Sequence, residues 1–197
     1  AIFVPFQVDS DMQITRLSPW VKSMNQFYSI LLQMVERQPE QVFVIKEHPM
    51  TRKPLCDRVE RHPRILFQNG RDTGALIGEA AGVLTINSTV GIEALSLGRR
   101  VITLGQSCYR IPGLVLGADD EAGLEAALQQ LPDWSPDPVL RAHFLHYLRK
   151  EFLFGGEGNP IDDTLPERLL WVMRRRHEQA LATAMSRGRS QSVQAAR

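Results

Sequence analysis

The sequence predicts an α/β fold, a Rossmann-like parallel sheet flanked by helices. Three features of the chain lead to this prediction. Short apolar segments of strand length recur along the first 118 residues, amphipathic segments of helix length lie between them, and the connections are short. Parallel strands need a helix-sized crossover, and parallel sheets are covered by helices on both faces. The 197 residues suffice for one domain of this kind and are few for two.

The first two elements are predicted from prolines and a capping residue. AIFVPFQV, residues 1–8, is a strand, and Pro5 indicates the edge of a sheet or the end of a strand. Ser18 and Pro19 have the residue types of a helix N-cap and a first helical position, so a helix is expected from there to about residue 37. Further strands are expected in QVFVIKEHP (41–49), RILFQN (64–69), GVLTIN (82–87) and RVITLG (100–105), and helices in TGALIGEA (73–80) and STVGIEALSLG (88–98).

The pattern changes after residue 118, where only helices are predicted. They are ADDEAGLEAALQQL (118–131), DPVLRAHFLHYLRKEFLF (137–154) and a third from about Leu165 to Ala184. The expected organisation is a Rossmann-like domain at 1–118, a helical extension packing on it at 119–184, and a disordered polar tail at 185–197.

Composition argues against several classes of function. A net charge of +1 provides no field for nucleic acid. Cys56 and Cys108 form neither a disulfide framework nor a metal-ligand spacing, and they fit a reducing, cytoplasmic compartment. No apolar segment approaches the roughly 20 residues that span a bilayer. We therefore expect no nucleic-acid partner, no metal and no other cofactor. The chain begins without methionine inside a predicted strand, which suggests a fragment of a longer protein or a processed product.

Small polar residues follow the strand predicted at 82–87, at the carboxyl edge where open parallel sheets bind ligands. Asn87, Ser88 and Thr89 lead into a helix, whose free N–H groups and dipole favour an anion such as phosphate. Gly91 would let a ligand approach the helix closely, and the carboxylate of Glu93, one turn in, suits a ribose diol. The alternative is a capping box made by a Ser or Thr N-cap and Glu93.

A second polar group ends the strand predicted at 41–49. It contains Lys46, His48 and Pro49 in the segment KEHP. An imidazole can oppose the charge of a phosphate, and the lysine can add positive potential. The alternative for both side chains is an ordinary solvated surface position.

These motifs, in this order, resemble a known family. KEHP and NSTVGIEAL, about forty residues apart, resemble the nucleotide-binding half of GT-B glycosyltransferases that use CMP-activated acidic sugars. Together with FQVDSDMQI, they make the chain from about Val4 to Leu114 similar to the capsule polysaccharide biosynthesis family that contains the retaining β-Kdo transferases. The resemblance implies one half of a GT-B fold with extra carboxyl-terminal helices. It implies transfer of the acidic ketosugar Kdo from CMP-Kdo to a glycan or glycolipid acceptor, which a second domain outside these 197 residues would bind.

The resemblance also implies roles for individual residues. His48, Ser88 and Thr89 match residues that contact the CMP phosphate and ribose, and Glu93 matches a glutamate one turn into the helix. Gln7 and Asp11 match a Q-x-x-x-D signature near the sugar.

Asp11 is the expected nucleophile, because a retaining transferase can form a covalent glycosyl-enzyme through a carboxylate. Asp9 is its rival, and the alternative for both is a polar loop cap before the helix expected at Ser18.

Two other functions stay open. The chain could be a nucleotide-sugar-binding module without activity of its own. It could also be an interaction protein of capsule assembly or export, bound peripherally to the inner membrane through the basic helix that contains Arg174–Arg176.

Overall fold

The computed structural model of the protein describes residues 1–149, and Ala1–Ala142 form one compact unit. This unit contains a six-stranded sheet in which every neighbouring pair is parallel, in the order β3-β2-β1-β4-β5-β6. The strands are β1 (Ile2–Pro5), β2 (Phe43–Lys46), β3 (Ile65–Phe67), β4 (Gly82–Thr85), β5 (Val101–Thr103) and β6 (Leu116–Gly117). The helices are α1 (Met12–Leu17), α2 (Met24–Arg37), α3 (Thr73–Glu79), α4 (Val90–Ser96), α5 (Glu121–Gln130) and α6 (Pro138–Tyr147), with a 3₁₀ turn at Leu55–Asp57.

The first strand is central and not at an edge, which corrects one of the two positions predicted from Pro5. β1 pairs with β2 along four residues and with β4 through Ile2 and Phe3. Pro5 is the last residue of the strand and lies beyond the pairing with β4, so its missing N–H interrupts no bond to β4. The next residue resumes the pattern, because the Phe6 N–H donates to the Lys46 carbonyl at 2.9 Å. The other predicted position, a strand end, is confirmed.

The helix expected from Ser18 to about residue 37 is confirmed as α2, which ends at Arg37, but its predicted start is wrong. Ser18 is the C-cap of α1, and its extended φ of −106° and ψ of 105° are the conformation that a following proline favours. α2 begins six residues later, where the Ser23 Oγ accepts the Gln26 N–H at 3.1 Å. The true N-cap is therefore Ser23, and Pro19 lies in the connection between the two helices.

The other predicted elements within the described residues are confirmed. The strands β2 to β5 and the helices α3, α4, α5 and α6 lie in the segments expected for them, and α4 is closed by Gly98 with a φ of +70°. The two-residue strand β6 and the 3₁₀ turn were not predicted. The helix expected at 165–184 and the tail at 185–197 lie outside the described residues, so the predicted domain division stays a prediction.

The main apolar core lies between the sheet and helices α2 and α5. Phe27, Leu31 and Met34 follow one another at helical spacing along α2 and are fully buried. Leu124 and Leu128 of α5 belong to the same cluster. Strands β1, β2, β4 and β5 also contribute to it, so the loops at their carboxyl ends begin from a packed base. No helix within residues 1–149 combines the length and the apolar character needed to cross a membrane.

Candidate functional site

The order of the strands marks one position on the sheet edge. The chain runs outward through β2 and β3 on one side of β1, and through β4, β5 and β6 on the other. The direction of progression reverses between β1 and β4, and open α/β sheets bind ligands in the crevice at the carboxyl ends of strands at such a reversal. The loops that follow β1, β2 and β4 carry the site residues predicted from the sequence, except for three. Lys46 is the last residue of β2, and Gly91 and Glu93 lie in α4.

Gln7 and Asn87 meet at this reversal, although they are 80 residues apart in the chain. The Gln7 side-chain amide donates to Asn87 Oδ1 at 3.1 Å, and the Asn87 backbone N–H donates to Gln7 Oε1 at 3.4 Å. The Asn87 amide also donates to the Gln13 carbonyl at 2.7 Å. Both side chains are buried, so these bonds satisfy groups that water cannot reach. The two amides hold the ends of β1 and β4 and the start of α1 together.

The hydroxyl and carboxylate groups at the start of α4 are arranged differently from the predicted capping box. Thr89 is the N-cap of α4, but its side chain makes no capping hydrogen bond. The Ser88 Oγ accepts the Val90 N–H at 3.2 Å. Glu93 is exposed, and within residues 1–149 its carboxylate takes part in no hydrogen bond or ion pair. The Thr89 hydroxyl and the Glu93 carboxylate therefore face solvent without a protein partner in the described part of the chain.

The space beside Gly91 is filled by Tyr109 and is not open to a ligand. A Cβ at residue 91 would lie 2.7 Å from the Tyr109 ring. The Tyr109 hydroxyl donates to the Ser88 carbonyl at 2.6 Å, and burial raises the pKa of this phenol. The close approach expected of a ligand is thus made by a protein side chain, which supports the loop before α4. Tyr109 was not predicted as part of the site, because nothing in the sequence after β5 distinguishes a buried tyrosine from an exposed one.

Lys46 and His48 lie on the β2 side of β1. Lys46 is the last residue of β2, and His48 lies two residues beyond it. His48 is exposed, and its Nδ1 accepts the Met50 N–H at 3.1 Å, which leaves Nε2 to carry the proton of the neutral ring. Lys46 Nζ donates to the Arg71 carbonyl at 2.5 Å, so the ammonium is directed toward the loop after β3. Pro49 is exposed in the turn after His48. Because β1 separates β2 from β4, the His48 and Ser88 loops begin about 10 Å apart, two strand spacings.

Asp9 and Asp11 both act as caps in this structure. Asp11 Oδ1 accepts the Gln13 N–H at 2.9 Å at the start of α1. Asp9 Oδ1 accepts the Met24 N–H at 2.6 Å at the start of α2. The capping alternative is therefore realised for both, on α1 and α2 and not on a helix beginning at Ser18. One oxygen of each carboxylate makes the cap.

A cleft of about 690 Å³ opens beside the ends of β1 and β2. We call it the basic cleft, because Arg52, Lys53 and Arg58 line it against two carboxylates, Asp9 and Glu47. Its full lining is Phe6, Gln7, Val8, Asp9, Ser10, Met24, Asn25, Glu47, Met50, Thr51, Arg52, Lys53, Leu55 and Arg58. Gln7 and Asp9 reach this cleft, whereas Asp11, His48, Ser88 and Thr89 are outside its lining. The three cations were missed, because a basic segment after a strand is usually a solvated surface.

Glu47 organises the loop that carries these cations. It is buried, and its carboxylate accepts the Asn69 side-chain amide at 2.8 Å and the Leu55 backbone N–H. Burial raises the pKa of Glu47, but the hydrogen bonds from Asn69, Leu55 and Cys56 together lower it more, so the carboxylate stays ionised. Burial and the neighbouring carboxylates of Glu47 and Asp57 raise the pKa of the Cys56 thiol to about 11, which keeps this thiol protonated. Within residues 1–149 no three His, Cys, Asp or Glu side chains are grouped to hold a metal ion.

Comparison with known proteins agrees with this architecture. Residues 1–156 match the family model described as capsule polysaccharide biosynthesis protein. Protein FixF of Sinorhizobium fredii (strain NBRC 101917 / NGR234) is 50% identical over 169 residues, which are 86% of this chain and 42% of FixF. The capsule polysaccharide export protein KpsS of Escherichia coli is 30% identical over 152 residues, covering 72% of this chain and 38% of KpsS. The chain thus spans about two fifths of the length of these relatives.

Solved structures share the fold at lower identity. The Thermosulfurimonas dismutans KpsC, beta Kdo 2,4 transferase, aligns with a TM-score of 0.51 and 19% identity over 73% of this chain and 43% of that chain. The UDP-GlcNAc 2-epimerase of Methanocaldococcus jannaschii aligns with a TM-score of 0.52 and 15% identity over 69% of this chain and 39% of that one. These likenesses confirm the predicted Rossmann-like fold. With 156 of its residues matched by the family model, the chain belongs to the capsule polysaccharide biosynthesis family.

Proposed function

We propose that this chain is the donor-binding half of a retaining glycosyltransferase that transfers Kdo from CMP-Kdo to a glycan or glycolipid of the capsule or a related surface polysaccharide. The observation that supports it most is the Gln7–Asn87 hydrogen-bonded pair at the topological reversal, because it joins two of the motifs on which the family resemblance rests. Membership of the capsule family and a fold shared with a Kdo transferase also support it. A second domain would supply the acceptor site.

The nucleotide is proposed to bind across the ends of β1, β2 and β4. Its phosphate would accept hydrogen bonds from the Ser88 and Thr89 hydroxyls and from the Nε2–H of His48, which is uncommitted once Nδ1 accepts the Met50 N–H. Glu93 would accept hydrogen bonds from the ribose hydroxyls. The Thr89 and Glu93 side chains need no rearrangement for this, because neither is used for capping α4.

The acidic sugar is proposed to occupy the basic cleft. Kdo carries a carboxylate, and a guanidinium binds a carboxylate through two parallel charge-assisted hydrogen bonds. Arg52 and Lys53 are exposed on the loop that Glu47 organises, and Arg58 is fixed by hydrogen bonds to the carbonyls of Lys53 and Pro54. These residues would give the site its preference for an acidic sugar over a neutral one.

The chemical step is proposed to be a double displacement at the anomeric carbon. A carboxylate attacks this carbon, the bond to the phosphate oxygen of CMP breaks, and CMP leaves with the electron pair. The acceptor hydroxyl then attacks the same carbon, transfers its proton to a base, and releases the carboxylate, so that configuration is retained. The family signature supports Asp11 as the nucleophile, whereas the lining of the basic cleft supports Asp9.

Calorimetric titration of the full chain with CMP tests the binding half of the proposal, with UMP and AMP as comparators. Losing a hydrogen bond to a charged group costs roughly 1.5–3 kcal/mol, so His48→Ala and Ser88→Ala should each weaken CMP binding about ten- to a hundredfold. Ser96→Ala is the matched control, since Ser96 lies at the far end of α4, the helix that Ser88 precedes, and its hydroxyl donates to the Ile92 carbonyl. An export protein without nucleotide binding, as the KpsS likeness also allows, would bind none of the three nucleotides.

The nucleophile is tested in an enzyme that contains this chain together with its second domain. Incubation with CMP-Kdo and no acceptor should add the mass of one Kdo to a peptide that contains Asp11. Asp11→Ala should abolish transfer and keep CMP binding. If only Asp9→Ala abolishes transfer, the role belongs to Asp9. A label on neither carboxylate would contradict both assignments and leave a nucleotide-sugar-binding module.

A further inference from the structure

A second cavity lies at the opposite edge of the sheet from the candidate site. It has a volume of about 380 Å³ and is formed where β4 and β5 begin, because Ala81 precedes β4 and Arg100 precedes β5. The segment that leads into α6 closes its other side. Gly98, Arg99, Arg100, Ser135 and Arg141 are among the residues that line it. β4 separates it from Asn87 by about 13 Å, the length of a four-residue strand.

Of the residues that the structure describes, three arginines and no carboxylate line this cavity, which we call the arginine cavity. Arg99, Arg100 and Arg141 are all half-buried, so water screens their charges less than it screens those of exposed side chains. The ion pairs made within residues 1–149 use none of these three arginines. Asp137 is the nearest acid along the chain, but its Oδ1 accepts the N–H groups at the start of α6, at 2.8 and 2.9 Å.

The backbone around the cavity holds these arginines close together. Gly98 has a φ of +70°, and a Cβ there would lie 2.6 Å from Arg141 Nη1, so the guanidinium occupies the room that a side chain would take. Arg99 Nη2 donates to the Gly78 carbonyl, and this bond uses only one of the N–H groups of the guanidinium. The Arg100 carbonyl accepts the Val83 N–H at 2.9 Å, which fixes the start of the Arg100 side chain at the sheet. The three cations are therefore brought together by the fold.

We propose that the arginine cavity binds a phosphate group. Three half-buried cations with no counter-ion among residues 1–149 repel one another, and a bound dianion would remove this cost. Phosphate fits better than a carboxylate, since it presents more acceptor oxygens and a charge near −2 to three guanidinium forks. The Ser135 hydroxyl can donate one further bond. Inorganic phosphate and a sugar phosphate both present this group. The site is independent of CMP binding at the other edge of the sheet.

The test titrates the full chain with inorganic phosphate and, separately, with glucose 1-phosphate. Arg100→Gln and Arg141→Gln should each weaken binding about tenfold, the value of one charged hydrogen bond. Arg61→Gln removes an exposed arginine and should change nothing. Arg141→Lys keeps the charge, loses the fork and should bind with intermediate affinity. Tighter binding of glucose 1-phosphate identifies a sugar phosphate as the ligand, and equal binding identifies free phosphate.

Thermal unfolding supplies a second measurement that does not depend on titration. Phosphate should raise the unfolding temperature of the wild type and of Arg61→Gln, but not that of the Arg100→Gln/Arg141→Gln double variant. Without phosphate, the double variant should be at least as stable as the wild type, because repulsion between the guanidinium groups is gone. An equal phosphate effect on all the proteins, or no phosphate binding by the wild type, would overturn the proposal.

Discussion

The two loops on either side of β1 are held in place by different chemistry. In the β2 loop (residues 47–58) the organising group is the ionised, buried carboxylate of Glu47, which binds Asn69 and the Leu55 N–H. In the β4 loop (residues 87–89) the organising groups are neutral, namely the Gln7 amide and the Tyr109 hydroxyl. The stability of a loop held by one buried charge depends on pH and on that single side chain. The stability of a loop held by two neutral groups depends less on pH and less on either group alone.

The two loops also present different chemistry to solvent. The β2 loop carries Arg52 and Lys53, so it offers positive charge to an anionic ligand. The β4 loop offers the Thr89 hydroxyl and, one turn into α4, the Glu93 carboxylate. One edge of the sheet therefore provides cations on one side of β1 and neutral donors with an acceptor on the other. The proposed ligand, an activated acidic sugar, would use both: the cations for its carboxylate, and the donors and the acceptor for its phosphate and ribose.

The largest expected effect comes from removing the charged organiser. Glu47→Ala leaves the Leu55 N–H and the Asn69 amide without their acceptor, and it should lower the free energy of unfolding by about 3 kcal/mol. Glu40→Ala is the control, because this glutamate is exposed and should change stability by less than about 0.5 kcal/mol. Urea unfolding of both variants measures the difference. Equal losses of unfolding free energy in the two variants would show that the hydrogen bonds of Glu47 do not stabilise the protein.

The β4 loop should respond to crowding at Gly91. Gly91→Ala forces a Cβ against the Tyr109 ring and should cost about 1–3 kcal/mol. Tyr109→Phe removes the hydrogen bond to the Ser88 carbonyl, at about 0.5–1.5 kcal/mol. It also removes one of the atoms that the new Cβ meets, so the double variant should lose less than the sum of the two losses.

Gly78→Ala is the matched control for Gly91. It is also a helical glycine, but a Cβ there meets no atom within 4 Å. Its substitution should therefore be neutral or stabilise the protein by about 0.5–1 kcal/mol, as alanine does in a helix. Additive losses in the Gly91 and Tyr109 double variant, measured by the same unfolding experiment, would contradict direct contact between the two residues.

The difference between the loops should also appear as a pH dependence. The pKa of Glu47 lies below its ordinary value of 4.5 in the folded protein. Its contribution to stability is therefore complete above 4.5 and is lost as the pH falls through the folded-state pKa, because the unfolded chain binds the proton first. Glu47→Gln should flatten this part of the stability curve, whereas Asn87→Ala should leave its slope unchanged. An unchanged slope in Glu47→Gln, measured by urea unfolding between about pH 3 and 6, would rule out Glu47 as its source.

The sequence predicted the fold well, because each buried strand is a short apolar run and each run is closed by turn residues. It also located the polar groups at the carboxyl edge, since that position follows from strand order along the chain. It could not reveal which strands are neighbours, so the 80-residue link between Gln7 and Asn87 was not visible.

Local patterns also left choices that only packing decides. Ser18 and Ser23 are both acceptable N-caps, and the proline after Ser18 favours an extended conformation there as readily as it favours a helix start. Glu47 and Glu93 are the same residue type beside a strand end and a helix start. Glu47 is buried and hydrogen-bonded whereas Glu93 is exposed, because only Glu47 meets Asn69, in the loop after the neighbouring strand β3.

The smallest expected effect on stability, and the sharpest on binding, comes from the exposed side of the β4 loop. Thr89→Val and Glu93→Gln remove no hydrogen bond that the described structure makes, so each should change the free energy of unfolding by less than about 0.5 kcal/mol. If these side chains hold the nucleotide, each variant should still weaken CMP binding about tenfold, the cost of one hydrogen bond to a charged group. Glu93→Gln keeps an acceptor oxygen and loses the charge, so its loss should be larger for CMP than for 2′,3′-dideoxy-CMP, which has no diol to bind. Calorimetry on the folded variants measures both. If stability falls while CMP affinity is unchanged, the capping interpretation of Thr89 and Glu93 is correct and the nucleotide binds elsewhere.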